Sequence, residues 1–84
     1  MITFEEAKEK AEKKILKTSR IEVETVEAYD FGDYWAFVSV YIGTFLGVYP
    51  AFDVDKKTGK IRKHKEYPDA IEAAIDYKEN ATKL

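Results

Sequence analysis

The sequence predicts an α+β domain: an N-terminal helix, a four-stranded antiparallel meander sheet and a C-terminal helix. Three observations carry this. Apolar residues recur at helical spacing near both ends, the middle of the chain is rich in β-branched and aromatic residues, and the links between the middle segments are short. Short links make sequence neighbours into antiparallel neighbours in space. The 84 residues amount to one domain, 1–84.

Thr3-Phe4-Glu5-Glu6 reads as a capping box. The Thr3 hydroxyl can accept from an orphan amide of the first turn, and Glu6 can reach back to the Thr3 amide. Phe4, Ala7, Ala11 and Ile15 follow on one helical face, which predicts a helix over about residues 4–17. Glu6–Lys10 and Glu9–Lys13 have favourable spacing for ion pairs on its surface.

Ile21-Glu22-Val23-Glu24 alternates, so a strand begins there. The apolar phase then slips to Val26 and Ala28, which predicts a bulge or bend near Thr25. Asp30-Phe31-Gly32-Asp33 is turn-like. Tyr34 to Ile42 is apolar on both faces, the pattern of a central strand. One face carries Ala36, Val38, Val40 and Ile42; the other carries Trp35, Phe37, Ser39 and Tyr41.

After a connection at Gly43 to Gly47, Val48 to Val54 forms the next strand. Pro50 cannot donate to a ladder, so this strand is expected at an edge or with a locally unpaired position. Asp55 to Gly59 is a hairpin turn whose glycine supplies positive φ, and Lys60 to Lys65 is a short charged strand suited to an edge. Pro68 is expected at the first position of the second helix, with Ile71, Ala74, Ile75 and Lys78 as its stripe.

Composition excludes several classes of function. With no Cys, thiolate chemistry, disulfides and most structural zinc sites are out, and a reducing compartment fits. The chain opens without a basic or apolar leader, so a cytoplasmic protein with no membrane anchor is expected. The formal net charge of −2 argues against a dedicated nucleic-acid binder. The basic run from Lys56 to Lys65, with Arg62 and Tyr67, is too small a signal to reverse that, and the acidic run from Glu22 to Asp33 would repel phosphate. Both runs read as solvated strand faces.

No catalytic, metal or cofactor constellation stands out. His64 lies in a basic stretch without an evident acid partner and reads as a surface histidine. Ser19 and Ser39 lack a nucleophile elbow. Asp53 to Gly59 resembles the start of a calcium loop but has Thr58 at its sixth position and His64 at its twelfth, where Gly and Glu are needed. Asp30, Asp33, Asp53 and Asp55 could pair as acid–base carboxylates, but turn formation explains them more simply.

The most informative feature is the aromatic face of the central strand. If the first helix covers Ala36, Val38, Val40 and Ile42, then Trp35, Phe37 and Tyr41 point away from it, joined by Tyr49 of the next strand. These four are the candidate partner-binding residues, because Trp and Tyr are enriched at binding hot spots. Three covers remain open for this face: the second helix, a second copy of the chain, or another protein.

Element order and motifs also resemble the immunity protein 35 family, small bacterial proteins that neutralise toxins. Glu5-Glu6-Ala7 with Ala11 is similar to the family's opening helix. Phe31-Gly32 followed by Trp35, Phe37 and Tyr41 is similar to its central strand, although Asp33-Tyr34 stand where the Trp would follow directly. Gly47-Val48-Tyr49-Pro50, Val54-Asp55 and Thr58-Gly59-Lys60-Ile61 are similar to its later strand and turn. That turn also resembles the one in PepSY-type domains. Either resemblance implies a non-enzymatic, protein-binding module, of immunity type in the first case. A homodimeric domain of structural or ligand-binding role is the alternative.

Overall fold

Both faces of the middle strand need cover, and the chain places a helix on each. The computed structural model describes residues 1–18, 23–41 and 51–84. Its elements are α1 (Phe4–Thr18), β1 (Val23–Asp30), β2 (Tyr34–Tyr41), β3 (Ala51–Asp55), β4 (Ile61–Lys63), α2 (Ala70–Asn80) and β5 (Thr82–Lys83). The sheet is antiparallel, in the order β4-β3-β2-β1-β5. The α+β class, both helices and the meander are as the sequence predicts. The fifth strand is an addition: two residues at the C-terminus pair with Tyr29 and Asp30 of β1, and Leu84 N–H donates to Ala28 C=O at 3.0 Å.

α1 starts where its cap dictates. The Thr3 hydroxyl oxygen accepts from the Glu6 amide at 3.2 Å. The Glu6 carboxylate accepts from the Thr3 hydroxyl at 3.0 Å rather than reaching its amide. Glu5 and Glu6 in the first turn and Lys17 in the last complement the helix dipole. Glu9 pairs with Lys13 at 3.3 Å as expected, whereas Lys10 turns away from Glu6 and donates to the Gly59 carbonyl. Ala7, Ala11 and Ile15, the inward stripe, are buried.

The structure corrects which sheet face α1 covers. It lies on the Trp35 and Phe37 face, not on that of Ala36 and Val38. Ala7 and Ala11 share a core cluster with Ala28, Phe37 and Val54, flanked by Phe4, Val26, Trp35 and Ile61. Strand register explains the choice. Ala28, Phe37 and Phe52 are direct cross-strand neighbours, as are Trp35, Val54 and Ile61. The rows on this face are therefore apolar through the middle of the sheet, with Lys63 and Asp30 only at their ends, while the Ala36 row runs through Tyr29, Asp53 and Arg62. Small helix residues let α1 approach bulky rings: Phe4 stacks on Phe37 at 5.8 Å and meets Trp35 edge-on at 5.5 Å.

The strands follow their local signals. A register shift between Val23 and Thr25 is the expected bulge; Ile21 and Glu22 lie outside the described residues. β3 pairs with β2 on one side and β4 on the other, so its described part is interior rather than an edge. The connection at Gly43 to Gly47, and Val48 to Pro50, lie outside the described residues. β4, short and charged, is an edge. The Asp55 carboxylate accepts from the Lys57 and Thr58 amides at 2.8 and 2.9 Å, which holds its pKa below the usual carboxylate range. Gly59 adopts φ +72°, and a Cβ there would stand 3.1 Å from Ile2 Cδ1. α2 begins later than Pro68 suggests, because Asp69 is the N-cap and accepts from the Glu72 amide at 2.9 Å.

Phe37→Ala removes the ring on which Phe4, Ala7 and Ala11 rest. Urea denaturation should show a loss of about 3–5 kcal/mol. A loss below about 1 kcal/mol would mean that the ring is not the centre of this core.

A candidate functional site on the second face of the sheet

On the face away from α1, strand alternation lines up Glu27 and Tyr29 of β1, Tyr34 and Ala36 of β2, Asp53 of β3 and Arg62 of β4. His64, just beyond β4, donates its amide to the Ala51 carbonyl at 2.9 Å, which keeps it in register on the same face. Two rows of alternation thus bring an acid and a histidine together beside the small side chain of Ala36.

His64 is not the surface residue that the sequence suggests. Its side chain is 1% exposed and that of Asp53 6%. His64 Nδ1 lies 2.7 Å from Asp53 Oδ1, and Nε2 lies 3.0 Å from the Tyr67 hydroxyl. The Tyr67 hydroxyl in turn donates to Asp76 Oδ2 at 2.5 Å. The acid partner was hidden because it arrives from across the hairpin, not from neighbouring sequence. The signal was there: a turn at Asp55 to Gly59 sets Asp53 opposite Arg62, hence on the same face as His64.

The chain of hydrogen bonds Asp53–His64–Tyr67–Asp76 runs from the third strand to the second helix. Asp76 also accepts from Lys65 Nζ at 2.9 Å and from Asn80 Nδ2 at 2.7 Å. These donors, the Tyr67 hydroxyl foremost, hold its carboxyl down at about 2. Burial first, and the bond to Asp76 next, push the Tyr67 phenol well above its ordinary value. Tyr29, half-buried and hydrogen-bonded to Glu27 at 3.0 Å, is pushed up to about 12, by desolvation first and that bond next. None of these phenols ionises near neutrality.

Aromatic rings fill the space around the chain. Tyr77 stacks on Tyr29 at 4.4 Å and meets Tyr67 edge-on at 5.6 Å. Phe31 stacks on Tyr34 at 5.1 Å and reaches the His64 ring at 5.6 Å. The Arg62 guanidinium lies 5.0 Å over Tyr34 while its Nε faces Asp53 at 3.4 Å. The aromatic cluster on this face is thus Tyr29, Phe31, Tyr34, Tyr67 and Tyr77, which sequence reasoning missed.

Two of the residues expected to bind a partner, Trp35 and Phe37, lie on the opposite face. Phe37 is fully buried beneath α1 and Trp35 is half-buried there, with Lys56 Nζ 5.1 Å over its ring. Both belong to the core face, which removes the premise that they point away from the first helix. Tyr41 ends β2, paired with Val23; its side chain and all of Tyr49 lie outside the described residues. Three of the aspartates weighed as acid–base carboxylates have separate partners. Asp30 binds Lys56 Nζ at 2.8 Å and the Gly32 amide at 2.8 Å, Asp55 caps its turn, and Asp53 belongs to His64. Among the described residues no group of three His, Cys, Asp or Glu is placed to hold a metal ion.

α2 is turned inside out. Ala73, Asp76 and Tyr77 face the sheet, while Ile71 is 71% and Ile75 45% exposed. The expected stripe of Ile71, Ala74, Ile75 and Lys78 does exist, but it points away from the sheet. Inward anchoring by a tyrosine and an aspartate is what leaves it free. Glu72 and Glu79, both exposed, flank one side of the stripe by helical geometry. Among the described residues no helix is long and apolar enough to cross a membrane.

Asp76→Asn should weaken the attachment of α2 by about 1–2 kcal/mol, since it takes the charge from an acceptor of three donors. The wild-type tie has a definite acid limit. Because the Asp76 carboxyl lies below its ordinary 3.8, its stabilisation is complete above that value and lost as pH falls toward about 2. NMR shifts of Ala73 and Asn80 should follow this step in the wild type and show none in Asp76→Asn.

No protein-family model matches this sequence, no curated protein matches it, and no solved structure matches its fold.

Proposed function

We propose that this chain is a small non-catalytic protein-binding module that docks its partner on the outward stripe of α2. One observation carries this reading: Ile71 and Ile75 are exposed, one turn apart, on a helix whose inward face is polar and aromatic. Single exposed apolar residues are ordinary, but an apolar helical strip turned to solvent is what helix-in-groove recognition uses. The acidic flank of Glu72 and Glu79 suits a partner with an apolar cleft and a basic rim, and such complementarity mainly speeds association. The resemblance to immunity proteins fits a toxin domain as that partner and a cytoplasmic place of work. The His64 site works against enzymatic use, since its ring is closed to any substrate.

A second copy is the other reading, favoured by the charge pattern of the stripe. Two stripes packed antiparallel about Ile75 would bring each Lys78 beside Glu72 of the other copy, as a two-fold contact requires.

A photo-crosslinking residue at position 71, compared with one at position 13 of α1, tests both in the cells that make the protein. An adduct from position 71 alone, lost in Ile75→Asp, is the expected result. An adduct with a second copy would move the reading to self-association. No adduct from position 71 would remove α2 as the docking face. Ile75→Asp should change unfolding stability by only about 0.5 kcal/mol, because the side chain is largely in solvent already.

A further inference from the structure

We infer that His64 sits in the folded domain as an imidazolium, and that its second ring proton completes the tie between the sheet and α2. This role is independent of what docks on the helix. It follows from counting protons along the hydrogen-bonded chain. Asp76 accepts from Tyr67, Lys65 and Asn80, so it is an acceptor only. The one hydrogen of the Tyr67 hydroxyl is therefore spent on Asp76. Its oxygen, 3.0 Å from His64 Nε2, can only accept, so Nε2 carries a proton. That leaves Nδ1 and Asp53 Oδ1 at 2.7 Å. A neutral ring has one N–H, already used; two bare lone pairs at that distance would repel. A proton must lie between them. It is assigned to the ring, because an imidazole nitrogen is a stronger base than a carboxylate oxygen.

The neighbouring charges are consistent with this. Asp53 on β3 faces the ring directly. The cations are Arg62 on β4 and Lys65 after it, each bonded to a carboxylate and with side chains 65% and 58% exposed, where water screens them. From α2 come Asp76, ionised, and Tyr77, neutral; from β2 comes Tyr34, beneath Arg62. Behind Tyr77, β1 supplies Tyr29 and Glu27.

When the ring gives up a proton to solvent, one contact must fail. If the remaining proton stays on Nε2, Nδ1 faces Asp53 with a bare lone pair. If it moves to Nδ1, the Tyr67 hydroxyl must choose between His64 and Asp76. The first case loses the bond that seats His64 on β3, the second a bond of the Tyr67 hydroxyl that leads to α2; either way the chain that ties α2 to the sheet is broken, and the apolar core under α1 is untouched.

His64 is the sole histidine, so histidine-selective ¹⁵N labelling shows its two ring nitrogens alone. At about pH 7 both should carry protons. As the ring deprotonates, amide exchange in α2, corrected for intrinsic base catalysis, should quicken about tenfold per pH unit while α1 stays unchanged. In Tyr67→Phe, α2 should exchange faster from the start and no longer follow the ring. A single protonated nitrogen at about pH 7, or α2 exchange in the wild type that ignores the ring's proton, would overturn the assignment.

Discussion

The fold depends on a strand whose two faces both demand cover. β2 sends Trp35 and Phe37 to one side and Tyr34, Ala36 and Val38 to the other. A small sheet with one bare apolar face would associate or aggregate, so an element must sit on each. α1 meets the demand in the ordinary way, by burying small apolar residues against large ones. The second face cannot be closed that way, because its row through Asp53 and Arg62 is charged. A helix on that side must bring hydrogen-bonding groups, and α2 does so with Asp76 and Tyr77.

That solution has an energetic consequence for α2. Burying an isoleucine contributes about 1.5–3 kcal/mol, whereas a hydrogen bond nets about 1. α2 therefore gives up more by facing Ile71 and Ile75 outward than any single bond in the Asp76 cluster returns. Its N-cap at Asp69, the Tyr29–Tyr77 stack and the β5 pairing offset part of the difference. A second occupant that buries the stripe would supply the rest, which is the physical sense of reading it as a docking face. Binding energy and helix attachment then add on the same element, one from each side.

Legibility in the sequence followed the range of the signal. The capping box, the slip at Thr25, the Asp55–Gly59 turn and the charged edge strand are local, and each was readable from a few adjacent residues. The face chosen by α1 was not. Periodicity in β2 is apolar on both sides, and the deciding rows, Ala28–Phe37–Phe52 and Tyr29–Ala36–Asp53, exist only once three strands are in register. His64 was misread for the same reason: its acid is eleven residues away across a hairpin and its phenol lies in the following link. β5 was missed because two residues, Thr82 and Lys83, carry no period at all.

The two faces divide the domain into a part indifferent to pH and a part governed by it. Beneath α1 the buried cluster consists of alanine, valine and phenylalanine, with nothing to titrate. Beneath α2 the side-chain hydrogen bonds converge on a carboxylate that can be neutralised. Acid acts at the Asp76 end, where a carboxylate held low is finally neutralised. Opening should then be local, because losing α2 leaves the Phe37–Val54 core and four paired strands in place. The element that presents the apolar stripe is also the one whose hold on the sheet is conditional. Any partner gripping Ile71 and Ile75 would therefore feel the protonation state of a residue it never touches.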